Sequence, residues 1–149
     1  MKFSAGIELE EEIGRDNGMI TVLFRTDSHY TVNRDLVREA IADVLKEKKV
    51  KGLVEISISI TGDRMMRKLN KQYLNLDKTT NVLSFPLNDS DKTTPFADPP
   101  DQVMRLGDIV VSYPAAVSEA AEDNMLVDDK VNELVVHGML HLLGIHHEE

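Results

Sequence analysis

Cysteine and tryptophan are both absent from this 149-residue chain, and aromatic residues make up only 5% of it. Without cysteine there is no disulfide framework and no thiolate metal site, so any metal must be held by imidazole or carboxylate. No apolar run approaches the roughly 20 residues that a membrane helix needs, so no membrane partner is expected. The opening MKFSAGIELEEEIG lacks the apolar stretch of a secretory signal and carries acid where a transit peptide carries arginine. A cytoplasmic location is the expectation. Positive charge is scarce as well: 17 Lys and Arg face 26 Asp and Glu, for a net charge of −9. That excludes a general nucleic-acid coat, because non-specific affinity comes from Lys and Arg neutralising phosphates. Histidine is rare too. There are five in all, yet four of them lie in the last stretch, HGMLHLLGIHHEE at 137 to 149.

What is present suits one globular domain over 1–149, with 42% hydrophobic and 29% charged residues. Residues 1–18 read as a loosely held lead-in ending at a DNG turn, before a strand MITVLFR at 19 to 25. Asn33 is placed to cap a helix whose Leu36, Val37, Ala40, Ile41, Val44 and Leu45 share one side. LVEISISI at 53 to 60 alternates as a strand with one buried face, and a helix follows over about 63 to 73. NVLSFPL at 81 to 87 is a short strand closed by Pro86, and NDSDKTTPFADPPDQ after it has the composition of a long exposed loop. GDIVVS at 107 to 112 is a further strand, and Pro114 opens a helix reaching about Asn124. The last helix runs from about Val127 to Leu143, with Asp128 and Asp129 in its first turn complementing the dipole. Interleaved in this way, the elements predict an α+β fold with a small mixed sheet of about four strands packed with helices.

Two local basic patches stand out against the acidic background. KEKKVK occupies 46 to 51, and RMMRKLNK at 64 to 71 places Arg64, Arg67, Lys68 and Lys71 at helical spacing. For either patch alone, a solvated helix face is the simpler reading.

The histidines carry more information. In the final helix VNELVVHGMLHLL is almost wholly apolar, so His137 and His141 are expected to be buried or to line a cleft. Four residues apart, they lie on one helix face about 6 Å along the axis, close enough to converge on one ion. His147, in a continuing helix, would sit about 15 Å beyond His137 and be rotated by about 280°. The helix must therefore stop between them, and Gly144 can stop it by adopting the left-handed conformation, with Ile145 folding back on Leu140. His147 then returns as a third ligand, leaving the fourth tetrahedral position for water, the arrangement of catalytic zinc. An isolated HxxxH also fits a pair of core histidines, and a terminal HHEE also fits a solvated tail; the complete HxxxHxxGxxH favours metal. The spacing equals that of the metzincin proteases, whose HExxHxxGxxH includes a glutamate as general base. Gly138 occupies that glutamate's position here, which disfavours proteolysis. Three neutral imidazoles leave the ion's charge uncompensated and suit an anionic substrate such as a phosphodiester.

The sequence resembles the YbeY family of metal-dependent single-strand endoribonucleases. HGMLHLLGIHH matches the family's HGxLHLxGYDH at the three ligands and both glycines. LNKQYLNLDKTTNVLSFP at 69 to 86 and LGDIVVS at 106 to 112 match two further blocks in the same order. The resemblance implies one zinc ion on His137, His141 and His147, and an α+β domain related to the zincins with its metal site at the C-terminal helix. It also implies hydrolysis of single-stranded RNA in small-subunit ribosomal RNA maturation and ribosome quality control. Ribosomal RNA and ribosomal or associated proteins would be the partners.

Three departures bear on activity. Leu74 stands where the family has an Arg that contacts RNA or the scissile phosphate, so Arg67, Lys71 or Lys78 must substitute or the nuclease is weak. His146 stands where the family has Asp and is a spare ligand, a proton carrier or an exposed residue. Only two residues follow His147, fewer than in relatives, which would leave that ligand loosely held. Asp108 is a candidate for supporting a ligand histidine or orienting the attacking water, or it belongs to an ordinary strand-start turn. Thr79, Thr80, Asn81 and Ser84 are candidate phosphate contacts lining the cleft, with capping and turn bonding as the alternative, and Arg64, Arg67, Lys68 and Lys71 on the 64 to 71 helix are candidates for binding and guiding the RNA strand. Glu133 reads as a solvated helix residue, and His29 as structural or exposed. The alternatives to a ribonuclease are a non-catalytic ribosome-assembly factor with a structural metal and, less favoured, a metallopeptidase.

Overall fold

The alternating apolar residues of the predicted strands become one wall of a five-stranded sheet. The structure, a computed structural model, describes residues 7–15, 18–27, 29–87 and 103–144. Its elements are β1 (Ile7–Arg15), β2 (Gly18–Thr26), α1 (Arg34–Glu47), β3 (Gly52–Thr61), α2 (Asp63–Leu74), β4 (Val82–Pro86), β5 (Val103–Ser112), α3 (Tyr113–Glu122) and α4 (Val127–Leu142). The strand order is β1-β2-β3-β5-β4. β2 and β5 run parallel to β3, whereas β1 and β4 are antiparallel edges. Parallel neighbours need a crossover, and α1 supplies it between β2 and β3. Asn33 caps α1 as expected, its side chain accepting from the Leu36 N–H. The segment 88–102, read as a loop, lies outside the described residues.

One expectation is corrected. Instead of a loosely held lead-in, Ile7–Arg15 form β1 and pair with β2 from Ile7↔Thr26 to Arg15↔Gly18. It is the fifth strand of a mixed sheet expected to have about four. Ile7, Leu9 and Ile13 already show a period of two, a strand signal masked by the glutamates between them.

Alternation along β5 divides the core. Ile109 and Val111 join Ile56 and Ile58 of β3, Ile41 and Leu45 of α1, and Val131, Val135 and Met139 of α4. Val110 faces the other way and packs with Met66 and Leu69 of α2 and Leu83 of β4. Successive strand residues point to opposite faces, so α4 and α2 cover opposite faces of the sheet.

Specific contacts fix α4 at its N-terminal end. The Lys130 ammonium, almost fully buried, lies 2.6 Å from Asp123 Oδ2 and 3.2 Å from Glu133 Oε2. The hydrogen bond to Asp123 holds its pKa above the usual lysine value, against the pull of burial. Asp128 Oδ1 accepts from the Asn33 N–H at 3.2 Å, tying the start of α4 to that of α1. Further along, Gly138 lets α4 approach β5 closely. A Cβ there would lie 2.9 Å from Ile109 Cγ2 and 3.2 Å from both Cγ1 and Cδ1.

A polar tie joins α2 to the end of β5. The buried Ser112 Oγ donates to Asp63 Oδ1 at 2.7 Å and accepts from the Ala115 N–H at 3.2 Å, capping α3. Thr79 Oγ1 donates to the same Asp63 oxygen at 3.3 Å.

Two stability predictions follow from these contacts. Ser112→Ala removes the α3 cap and the shorter donor to Asp63, and should cost about 1–3 kcal/mol. Urea unfolding would show a lower midpoint at unchanged slope; an unmoved midpoint would contradict the tie. Gly138→Ala should lose about 1–3 kcal/mol to overpacking, although alanine ordinarily gains roughly 1 kcal/mol over glycine inside a helix. Combined with Ile109→Ala, it should cost clearly less than the two single changes summed. Additive costs would show that Ile109 is not what limits position 138.

Candidate metal centre

The final helix stops where the histidine spacing requires. α4 ends at Leu142, the Leu143 N–H donates to Met139 O at 2.9 Å, and the Gly144 N–H donates to His141 O at 3.0 Å. Gly144 has φ +81°, the left-handed region in which a side chain is strained. Residues 145–149 lie outside the described residues. The placement of Ile145 on Leu140 and the positions of His146 and His147 are therefore not part of the described site.

His137 and His141 stand one turn apart on the same face of α4, with ring centroids 4.7 Å apart and planes inclined by 40°. His137 is half-buried and His141 exposed. The expectation that both are buried or line a cleft thus holds less well for His141, which sits in the last turn with less of the fold around it. Two imidazoles at this separation can each turn a nitrogen towards one ion at the usual zinc distance of about 2.0–2.1 Å. The pair fits two positions of a nitrogen-ligand metal site. Among the described residues, no third His, Asp or Glu completes such a group. Glu133, one turn earlier, is ion-paired to Lys130.

The remaining candidates divide between the two faces of the sheet. Asp108 pairs with Phe85 and lies on the α2 face with Val110, whereas Ile109 is the residue turned to α4. Asp108 is therefore not brought to the histidines, because a shift of one residue along a strand changes the face. Ser84 is opposite Ile109 in the β4–β5 register and is half-buried on the α4 face. It shares that face with Val82, which packs on the core cluster that contains α4. Thr80 is half-buried, and the Asn81 amide donates to the Glu119 carboxylate at 3.1 and 3.3 Å. For Asn81 and Thr79, the observed bonds are structural ones.

Arg64, Arg67, Lys68 and Lys71 lie on α2, across the sheet from α4, so the structure does not place them with the histidines. Arg67 Nε donates to Asp77 Oδ1 at 2.8 Å. This hydrogen bond lowers the Asp77 pKa and raises that of Arg67. A cleft of about 490 Å³ beside them is lined by Asp63, Arg64, Arg67, Asp77, Lys78 and Thr79. Leu74, at the family's Arg position, is exposed. His29, also exposed, holds Nδ1 2.6 Å from Asp27 Oδ1. The His29 backbone N–H, followed by its ring, lowers the Asp27 pKa. Sequence reasoning missed the Asp63–Ser112–Thr79 tie, although Ser112 two residues before Pro114 is a legible helix cap.

A family model described as Endoribonuclease YbeY matches residues 23–149. Proteins named Endoribonuclease YbeY share this similarity over most of their length. That of Roseiflexus castenholzii is 44% identical over 117 residues, 78% of this chain and 72% of that one. That of Persephonella marina is 36% identical over 119 residues, 79% and 72% of the two chains. That of Dehalococcoides mccartyi (strain BAV1) is 33% identical over 135 residues, 87% and 84% of the two chains. The solution structure of TM1509 from Thermotoga maritima is similar in fold, with a TM-score of 0.50 and 24% identity, covering 84% of this chain and 75% of that one. Among the described residues, no helix is long and apolar enough to cross a membrane. The match over residues 23–149, together with these relatives, shows that this chain belongs to the YbeY endoribonuclease family.

Proposed function

We propose that this chain is a zinc-dependent endoribonuclease that cleaves single-stranded RNA during maturation of small-subunit ribosomal RNA in the cytoplasm. Ribosomal RNA and ribosomal or associated proteins are its partners, and ribosome quality control is the wider role. The observation that carries the proposal is the His137–His141 pair on α4, followed by the left-handed Gly144, in a chain of this family. His137 and His141 hold the ion through neutral imidazole nitrogens, with His147 as the third ligand. When bound, zinc supplies Lewis acidity for a phosphoryl oxygen and makes a water acidic near neutral pH. All three imidazoles are uncharged, so the site keeps a positive field that attracts a phosphodiester. The register that sets Ser84 on the same face of the sheet as α4 supports a hydrogen bond from its hydroxyl to the substrate backbone.

A peptidase finds no support in the packing. Position 138, where a metzincin carries its glutamate, is occupied up to van der Waals contact by the Ile109 side chain, which would have to shift to admit another side chain. One observation favours a second reading, a non-catalytic ribosome-assembly factor with a structural metal. Leu74 is exposed where the family carries its RNA-contacting Arg.

Metal content and cleavage of a labelled single-stranded RNA, compared for the native protein and His141→Ala, test the proposal. Native protein should carry zinc and cut the RNA. His141→Ala should lose more than the roughly 10–100-fold in metal affinity typical of losing a partner behind a ligand, and should lose cleavage with it. Carefully purified native protein without metal would refute the zinc enzyme. Metal without cleavage, with co-sedimentation on ribosomes, would favour the assembly factor. Equal cleavage by both proteins would point to a contaminating nuclease.

A further inference from the structure

The cations of α2 are better placed than a solvated face requires. Arg64, Arg67, Lys68 and Lys71 recur at spacings of three and four, which sets them on one arc of the helix. That arc is turned away from Met66 and Leu69, which pack on the sheet. Arg67 is neutralised by Asp77, and Asp63 is turned to Ser112 and Thr79. Among the described residues, Arg64, Lys68, Lys71 and Lys78 are exposed and have no ion-pair partner. In a chain of net charge −9, a cluster of unpaired cations beside a cleft of about 490 Å³ is a local reversal of the field.

Its position decides its role. The histidines stand on α4, on the other side of the sheet, and among the described residues β4 is the edge strand between the two faces. We propose that the cationic face of α2, with the adjoining cleft, is a second RNA-phosphate site, separate from the metal centre, so that one bound strand passes around the β4 edge to reach both. This rests on the reading of single-stranded RNA as the substrate. Packed layers stand about 10 Å apart, so the two sites are on the order of 20 Å from each other, and only an RNA of some length spans them. The short β4 makes a narrow edge to pass. A flexible single strand can follow that bend, whereas a stiff duplex resists it. The arrangement therefore selects for unpaired RNA away from the scissile bond. Repeating phosphates match cations on a single helical arc, and such contacts position a strand without reading its sequence.

Salt-dependent binding separates the possibilities. Fluorescence anisotropy with single-stranded RNAs of about 20 and about 5 nucleotides would compare the native protein, His141→Ala, and the triple variant Arg64→Gln, Lys68→Gln, Lys71→Gln. All three substituted side chains of the triple variant are exposed, so charge is removed without opening the core. The native protein should show a steeper salt dependence for the longer RNA. In the triple variant the slope should fall by about 2, from roughly 0.7 per lost phosphate contact, and the difference between the two lengths should largely vanish. His141→Ala should keep the steep slope for the longer RNA. An unchanged slope in the triple variant overturns the second site. So does loss of the length dependence in His141→Ala alone, which would put the whole grip at the metal centre. Native protein that binds zinc and poly-glutamate but no RNA overturns both this inference and the substrate reading, and would assign the patch to an acidic protein.

Discussion

The candidate site depends on how closely α4 lies against β5, and that approach is made at a residue without a side chain. Gly138 rests on Ile109, while Lys130 and Asp128 fix the helix at its other end. With both ends of the helix set, the direction of the face carrying His137 and His141 is set too. The same contact explains why this chain carries HG where a metzincin carries HE. The position is a packing contact between helix and sheet, and the volume a catalytic carboxylate would need is filled by Ile109. With Ile109 where it stands, position 138 does not accommodate a carboxylate side chain.

β5 then acts as a partition. Ile109 and Val110 are neighbours in sequence, yet one faces the histidine helix and the other the basic helix. Residues that look adjacent in the family's sequence blocks thus serve different sides of the molecule. Asp108 goes with the basic side, and Ser84, through its pairing with Ile109, goes with the histidine side. The polar tie of Asp63, Ser112 and Thr79 joins the two sides at one end of the sheet, where β5 passes into α3 and the chain from α2 returns to β4.

Much of this was legible in the sequence. Helical spacing gave α1 and its Asn33 cap, the DNG turn before MITVLFR gave β2, and alternation gave β3. The interval between His137 and His147 required a break in the helix, which Gly144 supplies. These features are local, written in periods of two, three and four. β1 was lost because glutamates interrupt its apolar period, and its strand pairing comes from a neighbour rather than from its own composition. The separation of α2 from α4 was not legible either. Amphipathic spacing tells which side of a helix is buried, but not which face of the sheet buries it. The face on which Asp108 stands was hidden at the same step, since the face of a strand residue depends on register across the sheet.

The edge at β4 has a further consequence for the behaviour of the protein in concentrated solution. An exposed strand edge is a template on which a second molecule can extend the sheet, and long, flat, apolar edges are where such association begins. β4 is only five residues long, and Pro86 closes it. Proline has no N–H to donate to an incoming strand. Among the described residues, the β4 edge is therefore a poor template for recruiting other copies of the chain into a continuous sheet.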